Sequence, residues 1–302
     1  MPNPISRREL LQTSAHTVAS VGMTTVATEA VPTSNTAQQA QRATDRDRHP
    51  PVSTIALAPG LQLHYREDWL GAPWASPEAA LLIHGGMESG EVWYGWVPRM
   101  ALQFRLFRPD LPGFGQSTAP ADFEWSVENY AAVLANFLDT VGVSSAHIIG
   151  AKTGGAIAMQ FAGAYPQRTR SLILASGPFS PPDPNGNPPD ELRFGSSAPK
   201  EEVEYFDKIK AATNPRTRAG LAKVLAGINL DLVLPRIAAP TLVITTDRGA
   251  LQSLEAVLHY QAKIPNSRLL VLTSDAFHVA VAKADECVAN TLAFIRDTRQ
   301  HT

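Results

Sequence analysis

The chain has 302 residues, of which 44% are hydrophobic, enough to bury the core of one large domain carrying an insertion. Its 26 basic and 28 acidic residues leave a net charge of -2 with no long run of one sign, which gives no reason to expect nucleic acid or an anionic membrane as a partner. The single cysteine, Cys287, excludes an intramolecular disulfide and a cysteine zinc site, and its spacing indicates a packed position in the last helix.

Residues 1–51 differ in composition from the rest of the chain. Arg7 and Arg8 precede a weakly apolar stretch from Thr17 to Ala27, and a Thr/Ala/Gln/Arg-rich segment follows as far as Pro51. This order is typical of a twin-arginine export signal with a flexible spacer, and the apolar stretch is too short and too polar for a stable transmembrane helix. We therefore predict an exported, periplasmic or secreted protein without stable membrane anchoring. The alternative is a disordered tail on a cytoplasmic protein.

From residue 52 onward, short apolar runs alternate with helical patterns, which predicts an α/β fold with a mainly parallel sheet covered on both faces. The two opening runs flank a Pro-Gly turn and indicate a hairpin. The predicted strands are 54–57, 61–65, 79–83, 104–109, 146–149, 171–175, 240–244 and 268–272, with helices over 126–141 and 285–296.

The segment 150–155 reads Gly-Ala-Lys-Thr-Gly-Gly and lies between an apolar strand and a predicted helix. A G-x-S-x-G nucleophile elbow makes the same sharp turn from strand to helix, and its central serine side chain stands above the sheet. The glycines here are suited to that turn because they allow close packing of the backbone. The central position, however, is Lys152.

Four motifs occur in a characteristic order: a His-Gly loop at 84–85, a D-x-x-G-x-G-x-S loop at 110–117, the elbow at 150–155, and a late histidine, His278. Together they resemble the α/β-hydrolase superfamily, in particular its haloperoxidase-like, epoxide-hydrolase-like and C–C-bond-hydrolase branch. The resemblance implies an α/β-hydrolase fold over residues 52–302, with about eight strands. It also implies a small helical cap inserted at about residues 178–236, which would roof the pocket.

The resemblance also implies roles for particular residues. His278 matches the general base of the family, and the backbone amides of Gly86 and Thr153 match the oxyanion hole. The position of the acid that orients the histidine falls on Gly249, so Asp247, two residues earlier, is the nearest candidate. A turn or capping role for Asp247 is an equal alternative.

Lys152 has three interpretations. A protonated lysine could hold a carboxylate or a developing enolate. A neutral amine could attack a carbonyl carbon and form a Schiff base, which needs a pKa below the ordinary value of about 10.4. Alternatively, the lysine merely fills a degenerate site. Because an unpaired buried charge is costly, the functional interpretations are favoured over the degenerate one.

Three further residues near the His-Gly-Gly loop are candidates for lining the substrate pocket. Glu88 could pair with Lys152 or act as an acid, or it could be an ordinary solvated carboxylate. Ser89 is a candidate displaced nucleophile, although it has no elbow. Trp93 is expected to wall the pocket.

The sequence predicts chemistry without a cofactor. The glycines at 113 and 115 lack the acidic residue that NAD recognition needs, and the scattered histidines form no metal-binding pair. We predict an enzyme that uses Lys152 and His278 on a small carbonyl- or carboxylate-bearing substrate, with hydrolase or lyase-type chemistry. The alternative is a non-catalytic ligand-binding protein with a degenerate active site. The oligomeric state is left open.

Overall fold

The computed structural model describes residues 52–177, 193–249 and 253–300. The predicted export signal and spacer at 1–51, and the beginning of the predicted cap at 178–192, lie outside the described residues. The described part of the chain belongs to one compact unit, His49–Thr302.

Eight strands form a single sheet, as the sequence predicts. They are β1 (Val52–Ala58), β2 (Leu61–Asp68), β3 (Ala79–Ile83), β4 (Arg105–Pro109), β5 (Ala146–Ala151), β6 (Thr169–Ala175), β7 (Thr241–Thr246) and β8 (Ser267–Leu272). Their spatial order is β1-β2-β4-β3-β5-β6-β7-β8. β2 pairs antiparallel with β1 and β4, whereas the pairs from β4 to β8 are parallel.

The described residues also form helices, which are numbered here in chain order. They are α1 (Val97–Met100), α2 (Val127–Thr140), α3 (Thr153–Ala164), α4 (Lys200–Ala212), α5 (Pro215–Gly227), α6 (Leu254–Gln261), α7 (Val279–Ala282) and α8 (Ala284–Arg299). Side-chain caps begin several of them, because the first N–H groups of a helix have no intrahelical acceptor. Ser126 accepts from Asn129 N at the start of α2, and Asn214 accepts from Thr217 N at the start of α5.

The central strands are buried along their whole length, which explains their continuous apolar runs. Alternate side chains of β3 point to opposite faces of the sheet. Leu81 and Ile83 join one hydrophobic cluster with α2 and α3, whereas Ala80 and Leu82 join a second with α8. Helices therefore cover both faces. Cys287 is buried in α8, as predicted.

Helices α4 and α5 occupy the described part of the predicted cap, between β6 and β7. Thr217 of α5 donates its hydroxyl to Gly113 O at 3.0 Å. Leu221, one turn later, packs on Gly86, since a Cβ at that glycine would lie 2.5 Å from Leu221 Cδ2. Gly86 and Gly113 follow the ends of β3 and β4, so α5 lies at the carboxyl edge of the parallel strands. Within the described segments, no helix has the length and apolar character needed to cross a bilayer.

Candidate active site

Lys152 stands on the turn between β5 and α3, with φ 55° and ψ −125°. A positive φ is unfavourable for a residue other than glycine, so the surrounding backbone must hold it. Lys152 N donates to Ser176 O at 2.9 Å, and Gly155 N donates to Lys152 O at 2.9 Å. A Cβ at Gly154 would lie 2.3 Å from Ile83 O. The glycine therefore permits the close approach that places the Lys152 side chain at the carboxyl edge of the sheet.

Glu88 is the direct partner of Lys152. Lys152 Nζ donates to Glu88 Oε1 at 2.5 Å, and the exposed fractions of the two side chains are 9% and 0%. The other oxygen, Oε2, accepts from Gly85 N at 3.0 Å. Glu88 is thus a buried ion-pair partner at the site. The alternative of a solvated loop carboxylate is wrong, because the side chain is buried.

His278 reaches the same carboxylate from another element. It precedes α7 and is fully buried, with its Nε2 atom 3.1 Å from Glu88 Oε1. Its backbone N donates to Arg193 O at 2.7 Å, and its ring stacks on Phe194 with centroids 6.0 Å apart and an interplanar angle of 15°. The two residues that the sequence singled out, Lys152 and His278, therefore meet at one oxygen atom of Glu88.

Arg193 adds a second cation, which the sequence analysis missed. Its NH2 atom lies 3.5 Å from Glu88 Oε1, and its guanidinium lies 4.5 Å from the centroid of the Phe194 ring. The residue follows a Pro/Asn/Gly-rich stretch without periodicity. A charged residue in such a stretch is ordinarily read as solvated, so no signal in the sequence identified it.

Burial and charge together set the ionisation of this cluster. Burial lowers the pKa of Lys152 to about 8, against the opposing effect of Glu88, and Arg193 and Lys210 lower it further. Burial alone would raise the pKa of Glu88, but Lys152, His278 and Arg193 hold it well below its usual value. Burial also lowers the pKa of His278. Near neutral pH Lys152 is therefore mostly a cation, Glu88 is a carboxylate and His278 is a neutral imidazole.

The proposed oxyanion amides border the same space. Thr153 follows Lys152 directly and begins α3. The loop that carries Gly86 packs against the lysine, since a Cβ at Gly85 would lie 3.0 Å from Lys152 Cβ. Within the described residues, the backbone N–H groups of Gly86 and Thr153 donate no hydrogen bond to another residue. Neither amide is therefore committed to a partner within the described residues.

The structure does not bring Asp247 to His278. Asp247 Oδ1 accepts from Ser274 N at 3.0 Å and lies 3.5 Å from Arg248 Nε, with the side chain partly exposed. These contacts fit the turn alternative. Gly249, at the position that the family gives to its acid, has no side chain. In the described part of the chain, neither ring nitrogen of His278 makes a hydrogen bond of good geometry.

Ser89 and Trp93 are placed by local structure and by the core. Ser89 Oγ accepts from Glu91 N at 3.3 Å and caps the 3₁₀ turn Gly90–Trp93, which is a structural position and not that of a nucleophile. Trp93 is fully buried in the cluster that includes α8, edge-to-face with Trp96 at 5.0 Å. In the described segments, neither residue makes a polar contact with Lys152.

The structure offers no built metal centre among the residues that it describes, where no group of three or more His, Cys, Asp or Glu side chains is disposed to hold an ion.

The sequence matches a family model described as "alpha/beta hydrolase fold" over residues 80–206. Bifunctional epoxide hydrolase 2 of Sus scrofa is 33% identical over 144 residues, 46% of this chain and 24% of that protein. The 2-hydroxy-6-oxo-2,4-heptadienoate hydrolase of Pseudomonas putida is 29% identical over 126 residues, 41% of this chain and 44% of that protein. The matches thus span less than half the length of these curated relatives.

A solved structure has the same fold. A hydrolase from Pseudomonas aeruginosa PA01 aligns with a TM-score of 0.69 and 24% identity, over 81% of this chain and 98% of that chain. The sheet order and the turn from β5 to α3 agree with this fold and with the family model. The chain therefore has the α/β-hydrolase fold, and its residues 80–206 are similar to the family of that name.

Proposed function

We propose that this protein is a cofactor-independent enzyme that acts on a small substrate bearing a carboxylate or a carbonyl group. Lys152 takes the position of the nucleophilic serine, and the reaction is of the hydrolase or lyase type. One observation carries the proposal: Lys152, on the elbow, and His278 share a single buried oxygen of Glu88, at 2.5 and 3.1 Å.

The geometry favours the protonated form of Lys152. Its Nζ atom donates to a buried carboxylate, and with its pKa at about 8 the amine is mostly charged at neutral pH. A lysine that attacked an ester would form a stable amide and stall, so the serine acyl-enzyme route is not available. An ammonium beside the Gly86 and Thr153 amides would instead bind a carboxylate or polarise a carbonyl oxygen.

The charge of the cluster supports an anionic substrate. Lys152 and Arg193 are cationic side chains that both lie within ion-pair distance of the buried Glu88 carboxylate. Cationic side chains bind carboxylates through charge-assisted hydrogen bonds, so an anionic group fits a site that contains them. The name of the Pseudomonas putida relative, a 2-hydroxy-6-oxo-2,4-heptadienoate hydrolase, describes a small oxo acid of this chemical class.

A matched pair of lysine variants tests the proposal. The purified protein is incubated with a panel of small oxo acids, enol carboxylates and their esters, and conversion is followed by NMR. Lys152→Met should lower kcat/KM by about 100-fold or more, as for loss of a preorganised charge in an active site. Lys223→Met, on the exposed face of α5, should leave it unchanged. Full activity of Lys152→Met would contradict the proposal.

A second candidate function is ligand binding without turnover. The observation that favours it is the closed cover over Gly86, where Leu221 occupies the space beside the glycine. Calorimetric binding of a panel acid, lost in Lys152→Met and unaccompanied by any conversion, would support this candidate over the enzyme. Borohydride reduction with the panel ketones separates the roles of the lysine, since only an iminium is trapped.

A further inference from the structure

The carboxylate near the His278 ring lies at Nε2, whereas the acidic partner of a general base lies at Nδ1. A histidine that serves as general base keeps a lone pair on Nε2 and a proton on Nδ1, and an acidic partner holds that Nδ1 proton. Here the carboxylate lies at Nε2, 3.1 Å away, while Asp247 is occupied by Ser274 N. The groups around His278 therefore determine its tautomer.

Two effects favour a proton on Nε2. An Nε2 lone pair facing Glu88 Oε1 at 3.1 Å would set two acceptors against each other, whereas an Nε2–H group is attracted to the carboxylate. Nδ1 is buried and has no acceptor in the described part of the chain. A proton there would be an unpaired buried donor, at a cost of about 1–3 kcal/mol. Both effects stabilise the Nε2–H tautomer relative to the Nδ1–H tautomer.

The rest of the His278 environment is rigid. The Phe194 ring lies parallel to the imidazole, and Arg193 O accepts from the backbone N of His278. On the other side, Gly85 N donates to Glu88 Oε2 and fixes the orientation of the carboxylate. The ring and the carboxylate are each held by separate contacts, so neither depends on a ligand for its position.

We propose that Glu88 is the positioning residue of the site: it holds His278 in the Nε2–H tautomer and binds the Lys152 ammonium through the same oxygen. The Nε2–H group of His278 is then attracted to the carboxylate 3.1 Å away, and His278 no longer presents an Nε2 lone pair. The ammonium of Lys152 keeps further N–H groups for a ligand. This inference rests on the proposed function and narrows it, since the reacting oxygen is polarised by Lys152 and water is not activated at Nε2.

The tautomer is directly measurable by NMR. The full chain is labelled with ¹⁵N, and long-range proton–nitrogen spectra distinguish a protonated ring nitrogen from one with a lone pair. The signals of His278 are identified by their loss in His278→Gln. In the unaltered protein we expect the proton on Nε2 and the lone pair on Nδ1. The opposite assignment, or a doubly protonated ring at neutral pH, would overturn the inference.

Variants of Glu88 connect the tautomer to its cause. Glu88→Ala should move the proton to Nδ1 or give a mixture, because the carboxylate that selects Nε2–H is gone. Glu255→Gln, on the exposed first turn of α6, is the matched control and should leave the His278 signals unchanged. An unchanged Nε2–H tautomer in a folded Glu88→Ala protein would overturn the inference. If Glu88→Ala does not fold, the tautomer measured in the unaltered protein still supports or overturns the inference.

The result is separable from the test of the proposed function. An Nδ1–H tautomer together with loss of activity in Lys152→Met would overturn this inference and leave the proposed function intact. An Nε2–H tautomer together with full activity of Lys152→Met would overturn the proposed function and leave the tautomer of His278 as inferred.

Discussion

Gly86 is required by the cap as well as by its own loop. Its amide is one of the two N–H groups proposed for the oxyanion hole, and its Cα side is covered by Leu221 of α5. A Cβ at this position would lie 2.5 and 2.7 Å from the two terminal carbons of Leu221, closer than real Cβ contacts. A single methyl group would therefore force the Leu221 side chain out of its present position.

We expect Gly86→Ala to destabilise the protein by about 1–3 kcal/mol, as for overpacking of a well-packed site, and to lower activity. The thermal midpoint and kcat/KM measure the two effects. In a Leu221→Ala background the same change should cost much less, because the clashing carbons are absent. Gly227→Ala, where a Cβ meets nothing within 4 Å, is the control. Equal losses in both backgrounds would show that the cap contact is not the cause.

Two hydrogen bonds join the segment of the 3₁₀ turn to helix α4. In each, a tyrosine hydroxyl on one side donates to a glutamate carboxylate on the other. Tyr94 of the loop donates to Glu202 of α4 at 2.8 Å, and Tyr205 of α4 donates to Glu91 of the turn. The turn begins two residues after Glu88. The cap is therefore fastened to the segment that carries the central carboxylate of the site.

Loss of both tyrosine hydroxyls should loosen this attachment. Each hydrogen bond contributes about 0.5–1.5 kcal/mol, so Tyr94→Phe with Tyr205→Phe should raise the opening of α4 without unfolding the sheet. Hydrogen exchange by mass spectrometry should show faster exchange in residues 200–212 and an unchanged rate in β5. Tyr165→Phe, outside the cap, is the control. If exchange in α4 stayed the same, the two hydrogen bonds would not hold the cap.

Local sequence patterns predicted the elements of this structure better than they predicted contacts between residues far apart in the chain. The apolar runs of β3 and β5 and the glycines around Lys152 are local signals, and they predicted the fold and the elbow correctly. His278 was found from its order along the chain. The sequence analysis gave pairing of Glu88 with Lys152 as one alternative, whereas the contact of the same oxygen with His278 depends on three elements meeting, which no local pattern encodes. Arg193 lies in a segment without periodicity, so its place at the site became visible only in the fold.

At the scale of the whole molecule, the site is complete only when sheet and cap are together. The sheet side supplies Lys152 and His278, and the cap side supplies Arg193, Phe194 and Leu221. The chain as a whole carries a net charge of -2, whereas the site contains the cationic side chains Lys152 and Arg193. Selection of an anionic ligand would therefore come from the site and not from the charge of the whole protein.

Export is a separate proposal for the whole chain, based on Arg7 and Arg8. In a bacterial host with a twin-arginine pathway, replacement of both residues by lysine should retain the protein in the cytoplasm, since that pathway reads the arginine pair. Cell fractionation and the mass of the mature chain measure the outcome. Equal export of the unaltered and the double-lysine proteins would contradict the proposal.

The dependence of kcat/KM on pH, measured with the best-converted acid of the panel, tests most directly whether Lys152 works as a cation. With its pKa at about 8, the lysine is charged below that pH and loses its proton above it. We expect kcat/KM to fall as the pH rises through about 8, approaching about tenfold per pH unit. In Lys152→Arg this fall should disappear, because a guanidinium stays charged. A kcat/KM that rises through pH 8 would mean that the neutral amine is the reactive form, and would contradict the account.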